Sequence, residues 1–175
     1  IDGVLEIFNE KKYADKVIQQ LLKRDKRWGS RDRGFIAETT YDIVRWKRLY
    51  AEISGVKEPF SRDDAWRLFA VWATLKGIKL PDWKYFESTP SRKIKGKFDN
   101  ALKIRTLRES IPDWIDKLGS EELGEIIWEK EISKQNKQAE VIIRVNKLKT
   151  SKKNLKSKLE FENIETIEIN GYPDA

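Results

Sequence analysis

The chain of 175 residues has no cysteine, no histidine and no methionine. Without cysteine there is no disulfide, no thiolate nucleophile and no cysteine-built zinc site. Without histidine the commonest general base and metal ligand is also gone. No apolar run approaches the roughly 20 residues that cross a bilayer. The opening IDGVLEIFNE is acidic and amphipathic, unlike a secretory leader. The expected location is the cytoplasm, with no membrane partner. With no methionine at its start, the chain is expected to be a piece of a longer polypeptide. Glycine-rich phosphate loops of the GxGxxG or GxxxxGK[ST] kind do not occur. The carboxylate pairs Asp63/Asp64 and Glu121/Glu122 fall at predicted helix starts, where the helix dipole accounts for them without catalysis. No catalytic residue, cofactor site or metal site is expected. By its residues the chain is a binding module.

Aromatics and charge are plentiful. Seven Trp and seven Phe supply the apolar area a disordered chain lacks. The charge is uneven: residues 1–110 hold 25 Lys and Arg against 16 Asp and Glu, a net of +9, whereas residues 111–175 hold 11 against 13, a net of −2. A basic first part is the footprint of a polyanion binder, and equally of a solvated basic surface.

Periodicity divides the chain. In YADKVIQQLLKRDKRW, the residues Ala14, Val17, Ile18, Leu21 and Leu22 mark one buried helical face. GSRDRGFIAETTYDIVRWKRLYAEIS predicts one long helix, with Ser30 as N-cap, an apolar stripe from Phe35 to Ile53 and Gly55 as its stop. SRDDAWRLFAVWATLKG predicts a helix buried on most sides, opened by a Ser61/Asp64 capping box. DWKYFESTPS reads as a loop with one short turn, and SRKIKGKFDNALKIRTLRES as helix broken near Gly96. After Pro112, two short helices split at Gly119 are expected, the second capped by Ser120. The pattern then changes. EVIIRVN and IETIEIN read as strands on either side of a capped helix, TSKKNLKSKLEFEN. The expectation is a mainly α chain: a helical domain over residues 1–108, then a small α+β strand–helix–strand module over 109–175.

Three basic clusters are candidates for RNA. The first is KRDKRWGSRDR, with Lys23, Arg24, Lys26, Arg27, Arg31 and Arg33 around Trp28. Helix N-termini there add phosphate-seeking amides. Trp28 either stacks on a base or covers the edge of the core, and the second suits a lone Trp better. The second cluster is Arg45, Lys47 and Arg48, for which intramolecular pairs with Asp42 and Glu52 are an equal alternative. The third is Lys147, Lys149, Lys152 and Lys153.

RDRGFIAETTYDIVRW resembles the central helix of the NusB-like helical domain. ESIPDWIDKLGSEELGE and RVNKLKTSKKNLKSKLE resemble the linking stretch and the strand–helix segment that follow it in Sun-type RNA cytosine-5 methyltransferases, the family of RsmB. The resemblance implies a NusB-like RNA-binding bundle and a small module that precedes a catalytic domain absent from this chain. In that family S-adenosylmethionine donates a methyl to carbon 5 of cytosine. One cysteine thiolate adds to the ring and a second helps release the product. The implied partners are RNA, most of all ribosomal RNA, and the C-terminal methyltransferase domain. Arg144, Asn146 and Lys149 inherit a role in substrate contact or domain docking. Arg31 and Arg33 stand at the family's RDR position, where helix packing is an equal alternative. Two other readings stand beside this one: a stand-alone NusB-type antitermination protein, and a protein-interaction module.

Overall fold

The computed structural model describes residues 1–87, 89–137 and 139–172. In chain order its helices are α1 (Asp2–Asn9), α2 (Ala14–Leu21), α3 (Ser30–Arg45), α4 (Lys47–Ser54), α5 (Arg62–Leu75), α6 (Ser91–Ala101), α7 (Arg105–Arg108), α8 (Asp113–Leu123), α9 (Glu125–Gln135) and α10 (Lys152–Phe161). A 3-10 turn at Lys84–Phe86 lies between α5 and α6. The described residues form two compact units, one from Ile1 to Asn136 and one from Lys137 onward. None of the helices is long and apolar enough to cross a membrane.

The first unit forms around its most apolar segment. Ser61 accepts the N–H of Asp64 at 3.1 Å, and its own N–H donates to the Asp64 carboxylate at 3.0 Å, which is the expected reciprocal cap. The helix it opens, α5, has Ala65, Leu68, Ala70, Val71 and Ala73 fully buried and Trp72 2% exposed. Helices α1, α3, α4 and α6 pack around it. Each large side chain so buried contributes about 1.5–3 kcal/mol. The Trp72 indole N–H is satisfied by Asp42 of α3 at 3.0 Å, and Lys76 pairs with the same carboxylate at 2.9 Å. A buried polar group thus ties the central helix to its neighbour instead of costing desolvation.

The stretch from Gly29 to Ser54, expected as one helix, is two. The chain bends at Trp46 (φ −99°, ψ 23°), whose ring lies under the Arg45 guanidinium at 5.1 Å. The bend redirects α4 so that Leu49, Tyr50 and Ile53 enter the core at 5% exposure or less, while Phe35 on the expected stripe stays 46% exposed. The cap also differs: Gly29 precedes the helix, and its N–H donates to Asp32 at 3.1 Å. At the other end Gly55 takes the left-handed conformation (φ 73°), and its N–H reaches Ala51 O, so the expected stop holds.

The glycine breaks are misplaced elsewhere. Helix α6 runs through Gly96, an exposed position where a Cβ would touch nothing. Burial of Ile94 and Ala101 holds the helix despite the glycine's cost of about 1 kcal/mol. Helix α8 runs through Gly119, and the break comes at Gly124 (φ 76°). Ser120 is therefore not a cap; its hydroxyl accepts from Arg105 at 2.8 Å. Helices α8 and α9 close the first unit, with Ile111, Trp128 and Ile132 forming a small core of their own.

The second unit departs most from expectation. Ser151 caps α10, accepting the N–H of Asn154 at 3.2 Å, as the sequence predicts. Residues 140–146 and 164–169 are irregular and form no strand. The expected strand–helix–strand module is not formed: α10 lies between two irregular segments. Among the described residues of this unit only Val145 is buried, while Val141 and Ile167 are more than 90% exposed. Two strands joined by one helix make a marginal sheet, since neither apolar face is covered on both sides. Ile143, Val145, Leu155, Leu159 and Ile167 still line one small cavity of about 60 Å³.

Candidate nucleic-acid interface

The first basic cluster sits on the connection from α2 to α3. Leu22, Lys23 and Arg24 close α2 through backbone hydrogen bonds to Ile18, Gln20 and Leu21. The exposed residues then divide by what they touch. Arg24 donates to Glu6 at 2.6 Å and lies 3.8 Å from Asp2. It holds the Glu6 carboxyl below the usual carboxylate range; Arg62 does the same for Asp2 through a 2.7 Å bond. Arg27, 90% exposed, forks onto Asp25 with bonds of 3.0 and 2.6 Å. The Arg33 side chain donates to Trp28 O at 3.0 Å and so folds back on the turn. Lys23, Lys26 and Arg31 are exposed with no side-chain partner among the described residues. Within this cluster, Lys23, Lys26 and Arg31 are the cations whose charge is fully available.

The second cluster turns inward. Arg45 donates to Glu109 O at 3.2 Å, and burial lowers its guanidinium from its ordinary value. Arg48 donates to Ile111 O and Asp113, both at 2.6 Å, and Lys47 pairs with Glu58 at 2.8 Å. The pairs are intramolecular, but Asp42 and Glu52 are not their partners. Three cations that look like a binding face hold the crossing from α7 to α8 and the loop after α4.

The third cluster belongs to the second unit. Asn146 makes a turn: its side chain accepts the N–H of Leu148 at 3.1 Å, and its carbonyl accepts from Lys149 and Thr150. Arg144 and Lys149 are exposed and their side chains carry no ion pair among the described residues. Lys152 pairs with Glu168 at 3.3 Å. Lys147 is exposed and engaged within the chain.

Sequence reasoning missed an aromatic groove beside the first cluster. Its cavity volume is about 580 Å³, and its lining includes Arg24, Trp28, Phe35, Thr39, Trp66 and Trp83. Trp66 is the hub: Tyr85 stacks on it at 5.5 Å, and Trp83 meets it edge-on at 5.9 Å. The residues come from the α2–α3 connection, α3, α5 and the 79–86 loop, so no single sequence window shows them together. Among the described residues no group of carboxylates could hold a metal ion.

Residues 111–175 match the family model described as Methyltr_RsmF/B-like, ferredoxin-like domain. No curated protein and no solved structure matches the chain. The family match relates α8, α9 and the second unit to Sun-type methyltransferases and begins close to Pro112.

Proposed function

We propose that this chain is the RNA-binding and positioning region of an S-adenosylmethionine-dependent RNA cytosine-5 methyltransferase acting on ribosomal RNA. The observation that carries the reading is the family match over residues 111–175. The helical first unit, with its net positive charge and its unpaired Lys26 and Arg31, supports a NusB-like bundle that holds RNA phosphates. Arg144 and Lys149 are further exposed cations, on the second unit.

Methyl transfer itself belongs elsewhere in this reading. The chain has no cysteine to add to a pyrimidine. This reading places no methyl-donor site in the chain either. Gly55 and Gly77 follow helix ends with positive φ, and Gly124 separates two helices. Among the described residues none of them forms the strand-to-helix glycine turn that holds such a cofactor. The chain's own contribution is to bind, orient and hold RNA beside a catalytic domain.

A salt titration of ribosomal RNA binding tests the reading. Affinity must fall steeply and log-linearly with salt; no binding at low salt sinks it. Reading the gene beyond the Ala175 codon separates it from a stand-alone antitermination protein, because a glycine-rich turn and a Pro-Cys segment are expected there.

A further inference from the structure

We infer that the aromatic groove of the first unit is a pocket for an unstacked base of single-stranded RNA, with the flanking phosphates on Lys23, Lys26 and Arg31. This deepens the RNA-binding reading and rests on it.

The groove has the chemistry a base requires. Its volume of about 580 Å³ lies within the roughly 300–1,000 Å³ range of small-ligand sites. Trp83 and Phe35 are 51% and 46% exposed, and Trp28 is half-buried. Trp28 makes no ring contact with another aromatic among the described residues, so its indole has no partner of its own kind. Solvent-facing indoles cost free energy unless something covers them, and a base offers a flat, polarizable partner of matching size. Thr39, 8% exposed, also lies in the lining.

Charge identifies the occupant as nucleic acid over an apolar peptide. Arg24 and Trp28 line the groove and belong to the cluster of six cations between Lys23 and Arg33. Of the acids at this end, Asp2, Glu6 and Asp25 are each bonded to an arginine, and Asp32 accepts the Gly29 N–H. Lys23, Lys26 and Arg31 make no ion pair among the described residues. A neighbouring pocket that shares Pro81 and Trp83 with the groove is lined by the exposed Lys79 together with Asp82 and Glu87. Alternating aromatic and cationic groups are the pattern by which single strands are held: bases stack on the rings while phosphates meet the cations. An apolar helix would fill the rings but leave the cationic rim unanswered.

The test is fluorescence anisotropy of the whole chain with labelled ten-nucleotide RNA strands, either intact or abasic at the central positions. The intact strand is expected to bind about 10-fold more tightly, in line with single-base stacking. Trp83→Ala and Phe35→Ala, both at half-exposed positions, should abolish that preference and leave the salt slope unchanged. Lys26→Glu with Arg31→Glu should weaken both strands and flatten the slope. Equal binding of intact and abasic strands by the unaltered protein overturns the pocket while RNA binding stands. No binding of either strand at low salt overturns the pocket and the RNA reading together. Displacement of the intact strand by an uncharged apolar helical peptide, without effect on the abasic strand, assigns the groove to protein and overturns the proposal.

Discussion

The indole of Trp128 on α9 lies flat against Gly119 on α8, so close that a Cβ at Gly119 would stand 2.5 Å from its Cε2 and Cε3 atoms. The ring cannot retreat easily, because its N–H donates to Asp116 at 2.8 Å and it is 7% exposed. Gly119→Ala should therefore destabilise the chain by about 1–3 kcal/mol, the range for overpacking a tight contact. Thermal unfolding checks this. Gly96→Ala is the control: it meets open space on an exposed helix face and should stabilise by up to about 1 kcal/mol.

Arg105 and Asp116 should make the chain acid-sensitive. Arg105 donates to the Asp116 carboxylate at 2.6 and 3.1 Å, to Glu125 at 2.6 Å and to Ser120. Its guanidinium holds the Asp116 carboxyl below the usual range; partial burial opposes this, and the Trp128 N–H adds to it. A carboxyl with a depressed folded pKa releases its proton more readily when folded. Its stabilisation is thus complete above the unfolded value of about 3.9 and is lost as pH falls from there through the folded value. Arg105→Met should cost stability at pH 7, and the gap to the unaltered protein should close as pH drops below about 4. Urea unfolding at several pH values checks it; a gap independent of pH would sink the account.

Arginines of the first and second clusters should behave differently. Arg48→Ala removes bonds to Ile111 O and Asp113 and should lower stability by about 1.5–3 kcal/mol, as for charge-assisted hydrogen bonds. It should leave the salt dependence of RNA binding unchanged. Arg31→Ala should leave stability within about 0.5 kcal/mol and lower the salt slope by about 0.7 for a single strand. Paired unfolding and binding curves for the two variants separate the roles.

Calorimetric titration of the chain with S-adenosylmethionine should give no binding heat. A saturable signal would require a donor site within these residues and would overturn the division of labour proposed above.

Much of the helical unit was legible in the sequence, and the reasons are local. The Ser61/Asp64 cap, the apolar run of α5 and the stop at Gly55 depend on residues within a few positions of each other. Gly119 and Ser120 misled because their roles are set by distant groups, Trp128 and Arg105. The bend at Trp46 was hidden for a related reason: the apolar period continues across it, and only packing on α5 demands the turn. The runs EVIIRVN and IETIEIN have strand composition, but strand geometry needs a partner sheet that their neighbours in the chain do not provide. At the candidate site, the cations were visible as a cluster, yet which ones are free depends on Glu6 and Asp25. The groove joins the start of α1, the α2–α3 connection, α3, α5 and the 81–86 loop, and left no local pattern.

The inward-facing arginines bear on where the polypeptide can be cut. Arg45, Arg48, Arg105 and Arg108 draw their acceptors from Glu109, Ile111, Asp113, Asp116, Glu125 and Glu129. A fragment ending at residue 108 would strip four guanidinium groups of their partners at once. It would acquire an artificial polyanion-binding face, and RNA affinity measured on it would overstate that of the intact protein. A fragment ending after Asn136 keeps every one of those acceptors in place.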